Sequence, residues 1–229
     1  MPSFHRFAAR HLLYPCVGAS GLAVGLLAGR WLLGAGGYTF LIWNLFLAWL
    51  PYLGSLLIAW QLRRGGLHTV AAAPALGLWL LFLPNAPYLL TDLIHLPRMR
   101  FVWWYDAGTL AAFVWAGCLL GVASLHAVAA AAGVRSGPVA AATVAVGAAA
   151  LSGLGVYVGR FLRWNSWDAL LRPRALAADL LGTLADPSSY PRMLGVSGMI
   201  ACMMLLGYAT LLSARAAAPL SDRAAARRR

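Results

Sequence analysis

Residues 70–96 read VAAAPALGLWLLFLPNAPYLLTDLIHL. About fourteen apolar residues lead to Pro84-Asn85-Ala86-Pro87, where two prolines remove two amide donors and crowd the preceding carbonyls. A helix must kink or break there. Proline is tolerated in the first turn of a helix, so a second helical segment can start at the break. In it Asn85, Tyr88, Asp92 and His95 follow at spacings of three, four and three. At 100° per residue they fall within roughly an 80° arc of one helical face. The stretch reads as a kinked membrane span whose far end carries a polar face.

The rest of the chain has the same character. Its 229 residues are 62% hydrophobic and 10% charged, with a mean hydropathy of +0.74. An aqueous domain needs a charged surface, and 18 basic and 6 acidic side chains cannot supply one. Every basic residue is Arg, and Glu is absent. That usage, with abundant Ala, Gly and Pro, is expected of a GC-rich bacterial genome. A net charge of +12 would suggest nucleic acid in a soluble protein. Here the arginines sit at the ends of apolar runs and in the C-terminal tail, so bilayer headgroups are the expected anionic partner and nucleic acid is not. Cys16, Cys118 and Cys202 each lie alone in an apolar run, which points to small core residues rather than disulfides or metal ligands.

A membrane helix needs about 20 mainly apolar residues. Six runs qualify: 12–34, 38–62, 70–96, 101–132, 138–160 and 190–213. The predicted fold is all-α, a polytopic bundle of about six transmembrane helices with a kinked third helix. Residues 1–213 form its single membrane domain, and 214–229, without periodicity, read as a disordered basic cytoplasmic tail. With the N-terminus inside, ten arginines fall on the cytoplasmic side and eight outside. The positive-inside rule then favours two cytoplasmic termini in a bacterial inner (plasma) membrane protein. Trp residues near the span ends fit interfacial anchors. Residues 163–189 form the long connection. Pro173 can open a short helix there, with Leu176, Leu180, Leu181 and Leu184 on one face, lying in the interface plane and ending at Asp186-Pro187.

This topology gathers the polar groups at one side. Five of the six carboxylates and all three asparagines fall there. Asp92 and His95 are neighbours at i, i+3, a spacing that serves two metal ligands, a base with its orienting partner, or a polar face turned to headgroups. A second cluster runs Gly159-Arg160-Phe161-Leu162-Arg163-Trp164-Asn165-Ser166-Trp167-Asp168. Arg160 and Arg163 carry multi-donor forks suited to phosphate or carboxylate, or they snorkel beside a tryptophan belt. Asn165 or Ser166 can cap a new helix near Trp167. Asp106, at the start of the fourth span, is the third element, and an Arg partner would lower its cost in the membrane. Asn44, some ~9 Å inside the second span at 1.5 Å per residue, needs a partner, for which a free carbonyl at the proline break would serve. Gly147, Ser152, Gly155 and Gly159 read as close helix packing.

Asn44 to Trp49, Phe82 to Leu96, Trp104-Tyr105-Asp106 and Gly159 to Asp168 together resemble the bacterial membrane family catalogued as domain of unknown function 1361. The resemblance covers roughly residues 38–185. It implies a bacterial multi-span inner-membrane protein and carries no catalytic assignment.

Two functions follow. In one, Asn85, Asp92, His95, Asp106, Arg160, Arg163, Asn165 and Asp168 form an outer-face pocket for an anionic, phosphate-bearing lipid headgroup or lipid-linked substrate, with or without catalysis. In the other, the same groups are a structural salt-bridge network in a non-catalytic transporter or assembly factor. No phosphate loop, zinc-helix motif or nucleophile elbow occurs, no metal or cofactor is assigned, and the sequence does not speak to oligomeric state.

Overall fold

The computed structural model describes residues 2–63, 69–98, 101–186 and 188–226, and every regular element among them is helical. The chain runs α1 (Pro2–Arg10), α2 (Leu13–Leu32), α3 (Phe40–Arg63), α4 (Thr69–Phe82) and α5 (Asn85–Tyr88) into a 3-10 helix (Leu89–Arg98). It continues with α6 (Trp103–Phe161), α7 (Asp168–Leu171), α8 (Pro173–Ala185) and α9 (Tyr190–Ala226). Among the described residues five stretches are long and apolar enough to cross a membrane: Leu13–Leu32, Phe40–Gln61, Ala73–Arg98, Trp103–Phe161 and Tyr190–Ala217.

As one rod α6 would be about 88 Å long at 1.5 Å per residue, nearly three times the hydrocarbon thickness. It is not one rod. Gly137 has φ 88° and ψ 175°, a left-handed torsion that favours glycine, and Pro138 starts a new helix after it. A Cβ built on Gly133 would lie 3.1 Å from the Ala141 Cβ, so the chain doubles back into a hairpin. Its arms, 103–136 and 138–161, correspond to the expected spans 101–132 and 138–160.

The third run is kinked where the prolines require it. Ala86 N–H bonds the Leu83 carbonyl at 3.2 Å, a three-residue return, which leaves the Phe82 carbonyl without its helical donor. The Asn85 side-chain amide fills that place at 2.9 Å. Backbone crosses close to backbone around the break. A Cβ on Gly155 would meet the Pro84 ring at 2.3 Å, and one on Gly117 the Ala86 carbonyl at 2.5 Å. Both arms of α6 therefore press on the break, as expected for Gly155. Gly147, by contrast, faces no atom within 4 Å and is not a packing glycine.

Two larger apolar clusters hold the bundle, and a smaller one of Ala59, Ala127 and Ala131 joins α3 to the first arm. Leu27, Leu41, Tyr52, Leu89, Phe113 and Leu120 join α2, α3, the 3-10 helix and the first arm. Ile58, Trp79, Leu83, Val128, Ala149 and Met204 join α3, α4, both arms and α9. Between them Ser124 donates to the Pro51 carbonyl at 3.0 Å and accepts from the Trp79 indole at 2.9 Å, so a buried hydroxyl is satisfied twice.

The connection after α6 contains the short helix α8, opened by Pro173 as expected. Leu176 and Leu180 are half-buried and Thr183 is buried, whereas Leu181 and Leu184 stay exposed. The covered face is thus narrower than the leucine pattern suggested. Two further elements differ from expectation. The N-terminal segment folds as α1, set off from α2 by a left-handed Leu12 (φ 58°). At the other end α9 continues through Ala226, where irregular chain was expected from 214; the alanines of 216–218 and 224–226 are strong helix formers. Residues 227–229 of that tail lie outside the described residues.

Candidate functional site

The 3-10 helix brings the polar residues of the third run together. At three residues per turn Asp92, His95 and Arg98 fall one above another on a single edge, and Tyr88 sits one turn before, in α5. Ten residues is long for this helix type, which recurs where helices are strained or functional. Opposite that edge stands Arg160, from the last turn of the second arm of α6. Its guanidinium donates to the Thr91 carbonyl at 2.9 Å, the Tyr88 hydroxyl at 3.2 Å and Asp92 Oδ1 at 3.4 Å. His95 Nε2 lies 3.4 Å from it, and the Tyr88 ring is 5.5 Å from its carbon.

Asp92 is 1% exposed and takes a second bond, at 2.7 Å, from the Asn44 amide. The expected partner of Asn44 was a backbone carbonyl at the break. That carbonyl is already used by Asn85, and a carboxylate is the better acceptor for a neutral amide. Asn85 also donates to Ser166 Oγ at 3.0 Å, tying the break to the segment after α6. The Asn85, Tyr88, Asp92 and His95 face is thus brought to Arg160 and Ser166.

Asp106 is not part of this group. It is 1% exposed and bonded to the Arg30 Nε at 2.9 Å and the Phe101 N–H at 3.0 Å. Arg30, itself 4% exposed, donates from Nη1 to the Ala35 and Gly36 carbonyls at 2.6 Å each and stacks near Tyr38 and Phe101. The pair pins the 33–39 turn to the start of α6. Asp168 is also turned away. It reaches back to the Asn165 N–H at 2.8 Å and the Asn165 amide at 3.1 Å, the reverse of the expected cap. The Asn165 backbone N–H, foremost, holds the Asp168 carboxyl below the usual carboxylate range.

Between α3, the α4–α5 break and the second arm of α6 lies a cavity of about 710 Å³. Among the described residues three arginines line it, Arg98, Arg160 and Arg163, with His95, Asn85 and Asn165, and no carboxylate does. Asp92 sits behind Arg160 and does not reach the cavity wall. Arg98 and Arg163 are exposed and make no hydrogen bond or ion pair among the described residues. Arg163, just past the Leu162 cap of α6, lies in the left-handed region at φ 61°, a torsion that costs a non-glycine residue about 1–2 kcal/mol. Such strain is concentrated at functional positions. Two forks without a partner among the described residues, and one braced one, border a single cavity, a donor set whose chemistry suits an anion. Arg98 was not foreseen as part of it, although it extends the three-residue spacing of Asp92 and His95.

A bundle of apolar helices with a basic cavity at one end defines a multi-pass helical membrane protein. The chain belongs to the family described as Protein of unknown function (DUF1361), whose model matches residues 43–206, from Trp43 beside the cavity to α9. Neither a curated protein nor a solved structure matches it.

Proposed function

We propose that the cavity binds the anionic, phosphate-bearing head of a membrane lipid or lipid-linked substrate. In this reading the two arms of α6 each cross the bilayer, giving six crossings, both termini cytoplasmic, and the cavity at the outer face of a bacterial inner membrane. The observation that carries it is the lining: among the described residues it holds three arginines, two of them without a protein partner, and no carboxylate. An uncompensated cluster of cations beside a bilayer attracts anionic headgroups, and two free guanidinium forks match phosphate oxygens. The test uses purified protein in detergent with phosphatidic acid, phosphatidylglycerol or phosphatidylcholine of the same chains, and counts retained lipid by native mass spectrometry. Anionic lipid should be retained over phosphatidylcholine, and Arg163→Gln should lose the preference; equal retention of all three lipids would sink the reading.

A second reading draws on Arg160 itself. All its neighbours are protein groups, so it serves as a brace holding the 3-10 helix to α6, the structural network of a transporter or assembly factor. If Arg98 and Arg163 variants keep full biological function while Arg160 variants lose folded protein, that reading stands in place of the first.

A further inference from the structure

The cavity is graded along its length. Near the end of the bundle it is lined by Arg98, Arg160, Arg163 and Asn165; deeper in, by Leu47, Leu80, Leu81, Leu151 and Leu154. From Arg160 to Leu151 is nine residues of straight helix, about 14 Å at 1.5 Å per residue, too far for a headgroup alone to fill. The cavity is also open sideways, its apolar half included. Trp43, next to Asn44 at the polar end, and Leu151, at the apolar end, both line it and are each 53% exposed, on α3 and the second arm of α6. A water-soluble phosphate would leave that half in contact with nothing of its own polarity.

Charge narrows the head. Among the described residues that line the cavity, Arg98, Arg160 and Arg163 against Asp92 behind them leave a surplus of two positive charges. A phosphate monoester carries about −1.5 to −2 near neutral pH, whereas a diester carries one charge. Accepting that the cavity takes an anionic head, we infer that its occupant is an amphiphile with a terminal phosphate monoester, held between Arg98 and Arg163. Its chain lies along Leu151, Leu154 and Leu47 and leaves sideways into the bilayer.

Native mass spectrometry of the full-length protein in detergent tests this with dioleoyl phosphatidic acid, dioleoyl phosphatidylglycerol and glycerol 3-phosphate. Phosphatidic acid should be retained at least tenfold over phosphatidylglycerol. Leu154→Trp, which fills the apolar half, should lower phosphatidic acid retention about tenfold and leave any thermal stabilisation by glycerol 3-phosphate unchanged. Phosphatidic acid carrying a photoactivatable group midway along one chain should attach to the native protein within 43–47 or 151–158, a reading that needs no variant. Attachment elsewhere, or equal retention of the two phospholipids, overturns the inference while leaving the anion site standing. Loss of all anion preference, with phosphatidylcholine retained equally, overturns the anion site itself.

Discussion

Asn44 and Asp92 are 48 residues apart in the chain and 2.7 Å apart in space, joined by one hydrogen bond from amide to carboxylate. That bond locks the second crossing helix to the 3-10 segment and leaves Asp92 Oδ1 to Arg160. Three elements, α3, the 3-10 helix and the second arm of α6, are therefore coupled through a single enclosed carboxylate.

Removing Asn44 strips one donor from a buried acceptor. Asn44→Ala should lower stability by about 1–3 kcal/mol, and Asp92→Ala, which leaves Arg160 without its counter-charge, by about 3–5 kcal/mol. Thermal unfolding of the two variants and their combination, in one detergent, measures this. The combined loss should fall short of the sum, because both substitutions break the same bond; strict additivity would mean the bond is not made.

Arg163 should separate stability from binding. Arg163→Gly relieves the left-handed torsion, so the melting temperature should hold or rise, while retention of phosphatidic acid falls. A variant that melts lower and still binds would show that Arg163 is a packing residue.

Two glycines on the same arm of α6 should behave oppositely. Gly155→Ala forces a methyl against the rigid Pro84 ring and should cost about 1–3 kcal/mol. Gly147→Ala meets open space and should be neutral or gain up to about 1 kcal/mol in helix propensity. Equal melting temperatures for the two variants would contradict the close approach at the break.

The turn before α9 should be acid-sensitive. Asp186 accepts from the Ser189 hydroxyl at 2.6 Å and from the Ser188 N–H at 3.0 Å, and these bonds, the Ser189 hydroxyl first, hold its carboxyl below the usual range. A depressed folded value means the stabilisation is present above the unfolded value and is lost as pH falls through the folded one. Amide exchange at Ser188–Tyr190 should therefore stay slow through the ordinary carboxylate range and rise only below it. In Asp186→Asn the rise should be absent.

Topology is open to direct labelling. In a variant lacking Cys16, Cys118 and Cys202, single cysteines replacing Gly36, Met99 or Ala178 should react with an impermeant thiol reagent from the periplasm. Those replacing Gly65, Arg135 or Asp222 should not. The reverse pattern would put the cavity on the cytoplasmic side.

Much of this was legible in the residues, for physical reasons that also set the limit. Apolar runs and their Pro and Gly punctuation report local properties, so the helix bounds and the kink at Pro84 could be read closely. The shared edge of Asp92 and His95 was readable because a three-residue spacing aligns them in an α-helix and a 3-10 helix alike; for the same reason the helix type was not. Pairings between distant helices depend on rotation and depth, which a linear pattern does not encode. Hence Asn44 was seen to need a partner without Asp92 being identified, and Asp106 was grouped with Arg160 although Arg30 holds it. Arg30, the one charge in the first span, carried the available signal: a cation there needs a counter-charge from another helix at the same level.

The Arg30–Asp106 pin also has a consequence in time. Arg30 leaves the ribosome 76 residues before its partner. At about 5–20 residues per second, the first helix spends roughly 4–15 s at the membrane with that charge unmatched. During this interval the guanidinium can only reach up to the headgroups, near enough at the last turn of α2. Arrival of Asp106 draws it back onto the start of α6, so the first helix takes its final seat only after the fourth run has been made.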